Sequence, residues 1–480
     1  MKRVVDWRPL AVLALAGALL WPSQQPESAE PESPDVVVYV LDTLRPDRLG
    51  LGDSELQTSP WMRSVAERGV HFNAAYSTSS WTPPAIASMM TGQHPATHTV
   101  VAGLVPGREQ GQRAVLDGGA PPIPKDTRTL QAHFRRNGYQ TWGTSTNSLV
   151  GHKQGFQRGF DHFRMFTPAD YDVYTGSRTP DPDAPTDWTM EHRGRSPATA
   201  EQVHEHLMDW KPQWEAVDKP LFLWVHLTDP HQPYHRRAPW FVDSDDPLQE
   251  MRNAYDSEVR YTDHWLQRMT QDLGFDEDTL IVIVSDHGDA FQEHGHFGHT
   301  GDTSLWREVN DAVFVMAGPG IQSGRSPNLP VSLVDMAPTL NSLAGLPRQP
   351  QQHEGVDLAP LLGESKDERV ALRAQLKERA VYASRGAQIR RNDGDWMVVK
   401  KGWKYMEQKG EETPLLYDLK ADPEEQRNLY GSGAAQQAEL ARLLKQHREG
   451  AVLRATDKNT EKVELDEATL EALRAMGYVD

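Results

Sequence analysis

Asp35-Val36-Val37-Val38-Tyr39-Val40-Leu41 is a continuous run of mostly β-branched, apolar residues between Pro34 and Asp42. A strand with one face in water would alternate apolar with polar residues, but this run has no charged position after Asp35. The pattern therefore predicts a strand that is buried on both faces, as strands of parallel sheets are. Three later runs share it: Leu221 to Leu227, Leu280 to Val284 and Ala312 to Met316.

Helical patterns separate these predicted strands. In the longest, Tyr255, Val259, Thr262, Leu266 and Met269 recur at the spacing of one helix face. The predicted helices are Met62 to Arg68, Ala85 to Met90, Thr129 to Asn137, Ala198 to Trp210 and Tyr255 to Leu273. Strands that alternate with helices predict an α/β fold with a mostly parallel central sheet covered by helices on both faces.

The last quarter of the chain has a different pattern. A charged, partly helical link, Gly363 to Glu378, is followed by short segments that resemble antiparallel strands. These are Val381 to Ser384, Trp396 to Lys401, Lys404 to Glu407 and Leu415 to Leu419, followed by an amphipathic helix, Ala434 to Glu449. We therefore predict a catalytic domain over residues 35–362 and a small C-terminal α+β subdomain with a helical tail over residues 363–480.

Residues 1–34 have the features of an export signal. Met1-Lys2-Arg3 is basic, Leu10 to Trp21 is apolar, and Pro22 to Pro34 is polar and rich in Pro and Glu. An apolar run of this length is short for a bilayer-spanning helix and typical of a secretory signal. We expect an exported protein that is periplasmic or extracellular. The alternative is that this segment stays uncleaved as an N-terminal anchor, which would be the protein's contact with the membrane.

Composition excludes several classes of function. The 480 residues carry a formal net charge of -18, which opposes binding along a nucleic acid. There is no cysteine, so disulfides, thiolate nucleophiles and Cys-ligated zinc are excluded. A small anionic substrate remains compatible with the charge, because a bound metal ion reverses the local field.

Polar residues gather where the predicted strands end. Asp42 follows the first strand, and Asp286-His287 follows the run Leu280 to Val284. In a parallel sheet the carboxyl ends of the strands line the site. Carboxylate oxygens and an imidazole nitrogen together suit a divalent metal ion such as zinc or manganese. His226 also lies near a strand end, among the polar residues that favour a site, and a packed strand-end residue is the alternative.

Thr82 lies in Ser79-Ser80-Trp81-Thr82-Pro83-Pro84-Ala85-Ile86. Pro84 can occupy the first position of a helix, which would place Thr82 just before the helix N-terminus, where anions are favoured. A hydroxyl group held there beside a metal ion is a candidate nucleophile. A simple N-cap is the alternative.

These elements and their flanks resemble the sulfatase branch of the alkaline phosphatase superfamily, over nearly the whole chain after residue 34. The matching segments are Leu41 to Arg45, Ala87 to Gly92, Gly138 to Thr141, Gly155 to Asp161, His226 to Tyr234, Ser285 to Gly288, Asp335 to Leu340 and Leu416 to Pro423. The resemblance implies an enzyme that hydrolyses sulfuric or phosphoric esters with the help of zinc, manganese or calcium, as one or two ions. Its substrate would be an anionic ester, either a small molecule or a group linked to a glycan or lipid.

Carried over position by position, the resemblance assigns roles to individual residues. Asp42, Asp286 and His287 would bind the metal, and Thr82 would stand in the nucleophile position. His231 would contact the anion or protonate the leaving group, and His299 stands where the family has a substrate-binding Lys or His.

Other positions depart from the family pattern. Thr43 stands where many sulfatases have a second metal-binding Asp, and Asn147 where they often have a Lys. Asp229, with His231 and His299, could supply a second metal site, as paired-metal phosphoesterases require.

The departure at Thr82 changes the expected chemistry. Sulfate-cleaving members convert a Cys or Ser in the frame C/S-x-P-x-R to formylglycine, but here the frame is Thr82-Pro83-Pro84-Ala85-Ile86. Formylglycine cannot form from threonine, and a sulfated threonine lacks the elimination route of a sulfated hemiacetal. A phosphorylated threonine can be resolved by activated water.

We therefore expect hydrolysis of phosphodiesters, phosphomonoesters or phosphonates through a covalent Thr82 intermediate. Three alternatives stay open: a sulfatase that works without formylglycine, an envelope phosphotransferase, and a metal-binding family member without activity.

Overall fold

The computed structural model describes residues 33–52, 54–101, 104–105, 115–116, 122–166, 198–299, 304–349, 353–388 and 393–456. The described residues from Pro34 onward belong to one compact unit. Nearly all of the predicted export segment, residues 1–34, lies outside the described residues. Within the described ranges, no helix is long and apolar enough to cross a membrane.

The strands are numbered in chain order. They are β1 (Val36–Leu41), β2 (Val70–His71), β3 (Ala75–Tyr76), β4 (Leu104–Val105), β5 (Val115–Leu116), β6 (Gln140–Ser145), β7 (His162–Met165), β8 (Leu221–Leu227), β9 (Leu280–Ser285), β10 (Ala290–Phe291), β11 (Phe297–Gly298), β12 (Phe314–Ala317), β13 (Val331–Ser332), β14 (Ala380–Gln388), β15 (Asp393–Lys400), β16 (Trp403–Glu407) and β17 (Leu415–Asp418).

The helices follow the same rule. They are α1 (Pro60–Glu67), α2 (Thr82–Thr91), α3 (Pro95–His98), α4 (Leu130–Arg136), α5 (Ala200–Glu215), α6 (Pro247–Leu273), α7 (Arg307–Asn310), α8 (Met336–Leu343), α9 (Ala359–Leu362), α10 (Lys366–Glu378) and α11 (Gln436–Thr456). Short 3-10 turns cover Pro46–Arg48, Glu293–Gly295 and Leu333–Asp335.

A seven-stranded sheet in the order β2-β12-β9-β1-β8-β6-β7 forms the centre of the protein. β1 pairs in parallel with β8 and β9, and β6 pairs in parallel with β8 and β7. β12 is antiparallel to both β9 and β2, so it runs against the other strands. The predicted mostly parallel α/β sheet is confirmed, with one reversed strand.

Alternate residues of each central strand enter two different cores. In β1, Val36, Val38 and Val40 pack into one core with residues of α2, α4 and α8. Val37, Tyr39 and Leu41 pack into the other core with residues of α1, α5 and α6. Burial on both faces explains why the run after Asp35 contains no charged position.

The C-terminal subdomain is a four-stranded antiparallel sheet in the order β14-β15-β16-β17. One face packs against α11 through Leu440 and Leu444. The other face shares a core with Ala290, Trp306 and Val309, which belong to the part of the chain just after β9. The predicted small C-terminal sheet is therefore present, and it covers the segment that follows Asp286-His287.

Candidate active site

Asp42 and Asp286 directly follow β1 and β9, which are neighbours in the sheet and are aligned at their last residues. Both side chains are fully buried. Asp286 Oδ1 accepts hydrogen bonds from the backbone N–H groups of Thr43 (3.1 Å) and His287 (2.8 Å). In the described part of the chain, the recorded ion-pair partners of the two carboxylates are all histidines.

The electrostatics of this pair favour a cation. Burial raises the pKa of Asp286 to about 7, although the N–H groups of Thr43 and His287 lower it. Burial also raises the pKa of Asp42, and the neighbouring charge of Asp286 raises it further. Two buried carboxylates without a Lys or Arg partner are stabilised when a metal ion supplies the positive charge.

His287 is arranged as a metal ligand. Its Nδ1 lies 2.9 Å from the carbonyl oxygen of Gly288, which can only accept a hydrogen bond, so Nδ1 carries the proton and Nε2 the lone pair. Nε2 lies 3.4 Å from Asp286 Oδ2 and 3.8 Å from Asp42 Oδ1. Burial lowers the pKa of His287, which favours the neutral form that binds metals.

These separations fit a bound divalent ion. Metal–ligand bonds of about 2.1 Å in tetrahedral geometry place ligand atoms about 3.4 Å apart. The predicted metal ligands Asp42, Asp286 and His287 are thus brought together at distances compatible with one ion.

Thr82 lies at the edge of this cluster. Its Oγ1 is 3.2 Å from His287 Nε2 and 3.5 Å from each carboxylate oxygen of Asp42. The side chain is fully buried. A hydroxyl group in this position could reach both a metal ion held by Asp42 and His287 and the phosphorus or sulfur atom of a substrate.

The helix begins two residues before Pro84, the predicted first position. α2 starts at Thr82 itself, with Trp81 as the N-cap, so Pro83 and Pro84 occupy the next two positions of the first turn. Proline is tolerated there because the first-turn N–H groups have no partner within the helix. Because proline has no N–H group, Pro83 and Pro84 cannot donate hydrogen bonds to an anion. Most of the positive charge that attracts an anionic substrate must then come from the metal ion and the histidines.

The sequence left His226 open between a site residue and a packed strand-end residue, and in the structure it faces the same cluster. It is fully buried near the end of β8, and its Nε2 lies 3.7 Å from Asp42 Oδ2. Asp42, His226 and Asp286 form a group whose ligand atoms lie within 4.8 Å of one another. The position of His226 at a strand end indicated a site residue, but the sequence could not predict the direction of its side chain.

Asn147 and Thr43 each donate a hydrogen bond to one of the two carboxylates. Asn147 Nδ2 donates to Asp42 Oδ2 at 2.8 Å, and its Oδ1 accepts from the N–H of Leu149 at 2.9 Å. Thr43 has a φ of 57°, and its Oγ1 donates to the carbonyl oxygen of Pro230 at 3.0 Å. Asn147 therefore orients Asp42, whereas the Thr43 hydroxyl is engaged with the loop after β8.

Asp229 lies in a neighbouring cavity lined by Thr199, Thr228, His231, His235 and Arg237. Its Oδ1 accepts from the N–H of Ala200 at 3.0 Å, at the start of α5. Burial raises the pKa of Asp229 to about 7, although the nearby Arg237 lowers it. Asp229 does not belong to the group of possible metal ligands that Asp42, His226 and Asp286 form among the described residues. His287 is outside that group too, although its Nε2 lies 3.4 Å from Asp286 Oδ2.

His231 and His299 are neighbours, and His299 is also a neighbour of His287. The ring centroids of His231 and His299 are 5.0 Å apart, and the rings of His299 and His287 are 4.5 Å apart. His231 Nδ1 is 2.6 Å from the carbonyl oxygen of Gln232, so Nε2 is the nitrogen that can point toward a substrate.

Asp289 orients His299, a role that was not predicted from the sequence. His299 Nδ1 lies 2.9 Å from Asp289 Oδ1, and the hydroxyl group of Tyr234 donates to Asp289 Oδ2. All three side chains are buried. The available signal was its place in Ser285-Asp286-His287-Gly288-Asp289, because histidines at metal sites commonly donate a ring N–H to a nearby carboxylate.

The comparisons with known proteins agree with this geometry. The family model described as "Sulfatase" matches residues 34–346, well over half of the chain. The choline-sulfatase of Rhizobium meliloti (strain 1021) is 26% identical over 467 residues, which cover 82% of this chain and 82% of that protein.

Two solved structures show the same fold. A 2-O GAG sulfatase superposes with a TM-score of 0.65 at 19% identity, covering 90% of this chain and 95% of that one. The phosphonate monoester hydrolase of Agrobacterium radiobacter superposes with a TM-score of 0.63 at 19% identity, covering 90% and 98%. From the family match, the relatives and the buried Asp and His cluster, we conclude that this chain belongs to the sulfatase family and is an ester hydrolase of that family.

Proposed function

We propose that Thr82 is the nucleophile of this hydrolase and that phosphodiesters, phosphomonoesters or phosphonates are its preferred substrates. The observation that carries the proposal is the position of Thr82 Oγ1, 3.2 Å from His287 Nε2 and 3.5 Å from both oxygens of Asp42. A hydroxyl group this close to three candidate ligand atoms lies within reach of the same ion.

The residues around Thr82 fit a divalent cation. When bound, such an ion would act as a Lewis acid on the ester and favour the ionised form of a neighbouring hydroxyl group. Asp42, Asp286 and His287 would hold it, and Asn147 would keep Asp42 in place through the 2.8 Å hydrogen bond.

The remaining steps use side chains of this chain. Ionised Thr82 Oγ1 forms a bond to phosphorus as the bond from phosphorus to the leaving oxygen breaks, and protonated His231 donates its Nε2 proton to that oxygen. Water then attacks phosphorus as the bond to Thr82 Oγ1 breaks, which returns Thr82 to its ionised form, while His231 accepts a proton from the water. His299, oriented by Asp289, would contact the ester beside His231.

The choice of phosphorus over sulfur rests on Thr82. A phosphothreonine is released by attack of water on phosphorus, whereas a sulfated threonine has no elimination route for the sulfate. The A. radiobacter protein with a similar fold is described as a phosphonate monoester hydrolase, so this fold accommodates such chemistry.

Sulfuric ester hydrolysis is the second candidate. It is favoured by the similarity to the R. meliloti choline-sulfatase, which extends over 82% of both chains. In that case Thr82 would orient water rather than form a covalent bond.

The test compares Thr82→Ala with Thr82→Ser on matched aryl phosphodiester, phosphomonoester, phosphonate and sulfate substrates, with added manganese or zinc. We expect the alanine variant to lose at least about 10³-fold in kcat/KM, equivalent to about 4 kcal/mol, because the nucleophile is absent. The serine variant keeps the hydroxyl group and should retain most of the activity. It cannot acquire formylglycine through the family frame, because Ile86 replaces the required Arg.

Two results would contradict the proposal. Undiminished turnover by Thr82→Ala would remove Thr82 as nucleophile, and sulfate release that greatly exceeds phosphate release would favour the second candidate. Labelled lipid donor in the same assay would reveal phosphotransfer, and metal binding without cleavage of any ester would indicate a protein without activity.

A further inference from the structure

His226 has an unusual environment for a core histidine. It is fully buried, and its Nε2 has no hydrogen-bond partner among the described residues. Asp286 Oδ2 is likewise buried and has no such partner there. A buried polar atom without a partner is unfavourable, so a packed histidine would be expected to direct both nitrogens at hydrogen-bonding groups.

The second nitrogen of His226 is held by Ser145, the last residue of the adjacent strand β6. His226 Nδ1 lies 3.0 Å from Ser145 Oγ, and this hydroxyl donates to the carbonyl oxygen of Asn147 at 3.2 Å. Because the hydroxyl proton is directed at the carbonyl, its oxygen accepts the proton of Nδ1. His226 Nε2 therefore carries the lone pair, as a metal-ligating nitrogen must.

The lone pair faces the carboxylates. His226 Nε2 is 3.7 Å from Asp42 Oδ2, too long for a hydrogen bond and close to the separation of two ligands of one ion. Asp42 consequently lies between two imidazoles, because its other oxygen, Oδ1, is 3.8 Å from His287 Nε2. Sheet order explains the arrangement, since β9, β1, β8 and β6 are consecutive neighbours.

We propose that His226 is a direct ligand of the divalent cation, through Nε2, in addition to Asp42, Asp286 and His287. The site then offers two imidazole nitrogens and two carboxylates. Imidazole suits zinc and other transition metals, whereas calcium prefers oxygen ligands. The protein should accordingly bind zinc or manganese well and discriminate against calcium. This inference concerns the ion alone and holds whether the ester is phosphoric or sulfuric.

The test measures metal binding without substrate. Metal-free wild type, His226→Asn and Ser145→Ala are titrated with zinc against a chromogenic chelator, and separately with calcium. Loss of a group that only orients a ligand costs about 10–100-fold in affinity, which is the effect expected for Ser145→Ala. His226→Asn removes the ligand itself, and zinc affinity should fall by more than about 100-fold while calcium affinity changes little.

His71→Asn is the matched control, because His71 Nδ1 is also buried without a hydrogen-bond partner in the described part of the chain, on β2 at the edge of the sheet. It should leave zinc affinity unchanged. Equal zinc affinity in wild type and His226→Asn, with both folded by circular dichroism, would overturn the proposal.

If His226→Asn does not fold, X-ray absorption spectroscopy of the zinc-loaded wild type can count the imidazole ligands of the zinc ion instead. Two imidazoles per zinc would support ligation by His226, and one imidazole would refute it. Neither measurement depends on turnover, so failure of this inference and failure of the proposed esterase mechanism would be distinguished.

Discussion

Asp335 and Asp286 are both fully buried, but their carboxyl groups have different surroundings. Arg379 donates to both oxygens of Asp335, at 2.5 and 2.7 Å, and the N–H groups of Ser332 and Val356 donate at 2.8 Å each. Asp286 receives two backbone N–H groups as well, but its recorded ion-pair partner in the described residues is His287.

The difference separates a carboxylate that supports the fold from one that is prepared for a ligand. The guanidinium group of Arg379 balances the charge of Asp335 within the protein, so no further cation is needed there. Asp286, with Asp42 beside it, has no Lys or Arg ion-pair partner among the described residues, and burial raises its pKa to about 7. Complete burial alone therefore does not identify a site; burial without an opposite charge does.

The largest expected effect follows from Asp286→Asn. We expect kcat/KM to fall by at least about 10⁴-fold, equivalent to about 5.5 kcal/mol, because the ion loses a charged ligand. The free energy of unfolding of the metal-free protein should stay the same or rise, because a buried carboxyl group without a basic partner is removed. Activity assays and urea denaturation in chelator would measure the two quantities. A large loss of metal-free stability would place Asp286 in the same class as Asp335.

Asp335→Asn should give the reverse result. Removing one partner of a buried ion pair leaves the Arg379 guanidinium unbalanced and typically costs about 3–5 kcal/mol. Zinc affinity of the folded variant should match the wild type, because Asp335 contacts none of the candidate ligands. A stability loss below about 1 kcal/mol would show that Arg379 finds another partner or solvent.

The fold could be predicted where the sequence has continuous apolar runs. β1, β8 and β9 were predicted because burial on both faces requires such runs. β6, Gln140-Thr141-Trp142-Gly143-Thr144-Ser145, was not predicted, because its polar and glycine residues give no such pattern and its pairing with β8 is a tertiary property. The antiparallel direction of β12 could not be predicted either, because the direction of a strand depends on the path of the connecting chain.

Some residues of the candidate site could likewise be predicted from the sequence, and others could not. Asp42, Asp286 and His287 could be placed together because each follows a recognisable strand, and the structure brings them within ligand distance. His226 and Ser145 come from β8 and the unpredicted β6, so their encounter depended on sheet order. Asn147 was named through the family pattern, but its 2.8 Å hydrogen bond to Asp42 needed coordinates.

A third buried carboxylate, Asp263 in α6, lies between the two extremes. It accepts from the N–H groups of Trp61 and Met62 at 3.0 and 2.8 Å, and Arg260 lies 3.2 Å away. Burial raises its pKa to about 6 from 3.8, even though these donors lower it. The folded protein then holds a proton on Asp263 between about pH 4 and pH 6 that the unfolded chain releases.

Stability from this group should therefore decrease as the pH rises from about 4 to about 6. A shift of about 2 units, at about 1.4 kcal/mol per unit, sets an upper limit of about 3 kcal/mol. Asp263→Asn cannot ionise, so the difference in unfolding free energy between wild type and variant should decline across this pH range. Parallel stability curves would show that the backbone N–H groups and Arg260 fully balance the charge.

The smallest effect is expected at Asn147, which contacts one of the unbalanced carboxylates without contributing charge. Asn147→Ala removes the Nδ2 donor to Asp42 Oδ2, so the carboxylate can rotate, and zinc affinity should fall by about 10–100-fold. Asn341→Ala is the control, because Asn341 is also buried, in α8, and neither of its side-chain polar atoms has a hydrogen-bond partner within the described ranges. It should leave zinc affinity unchanged. An equal loss in both variants would mean that packing, rather than orientation of Asp42, accounts for the effect at Asn147.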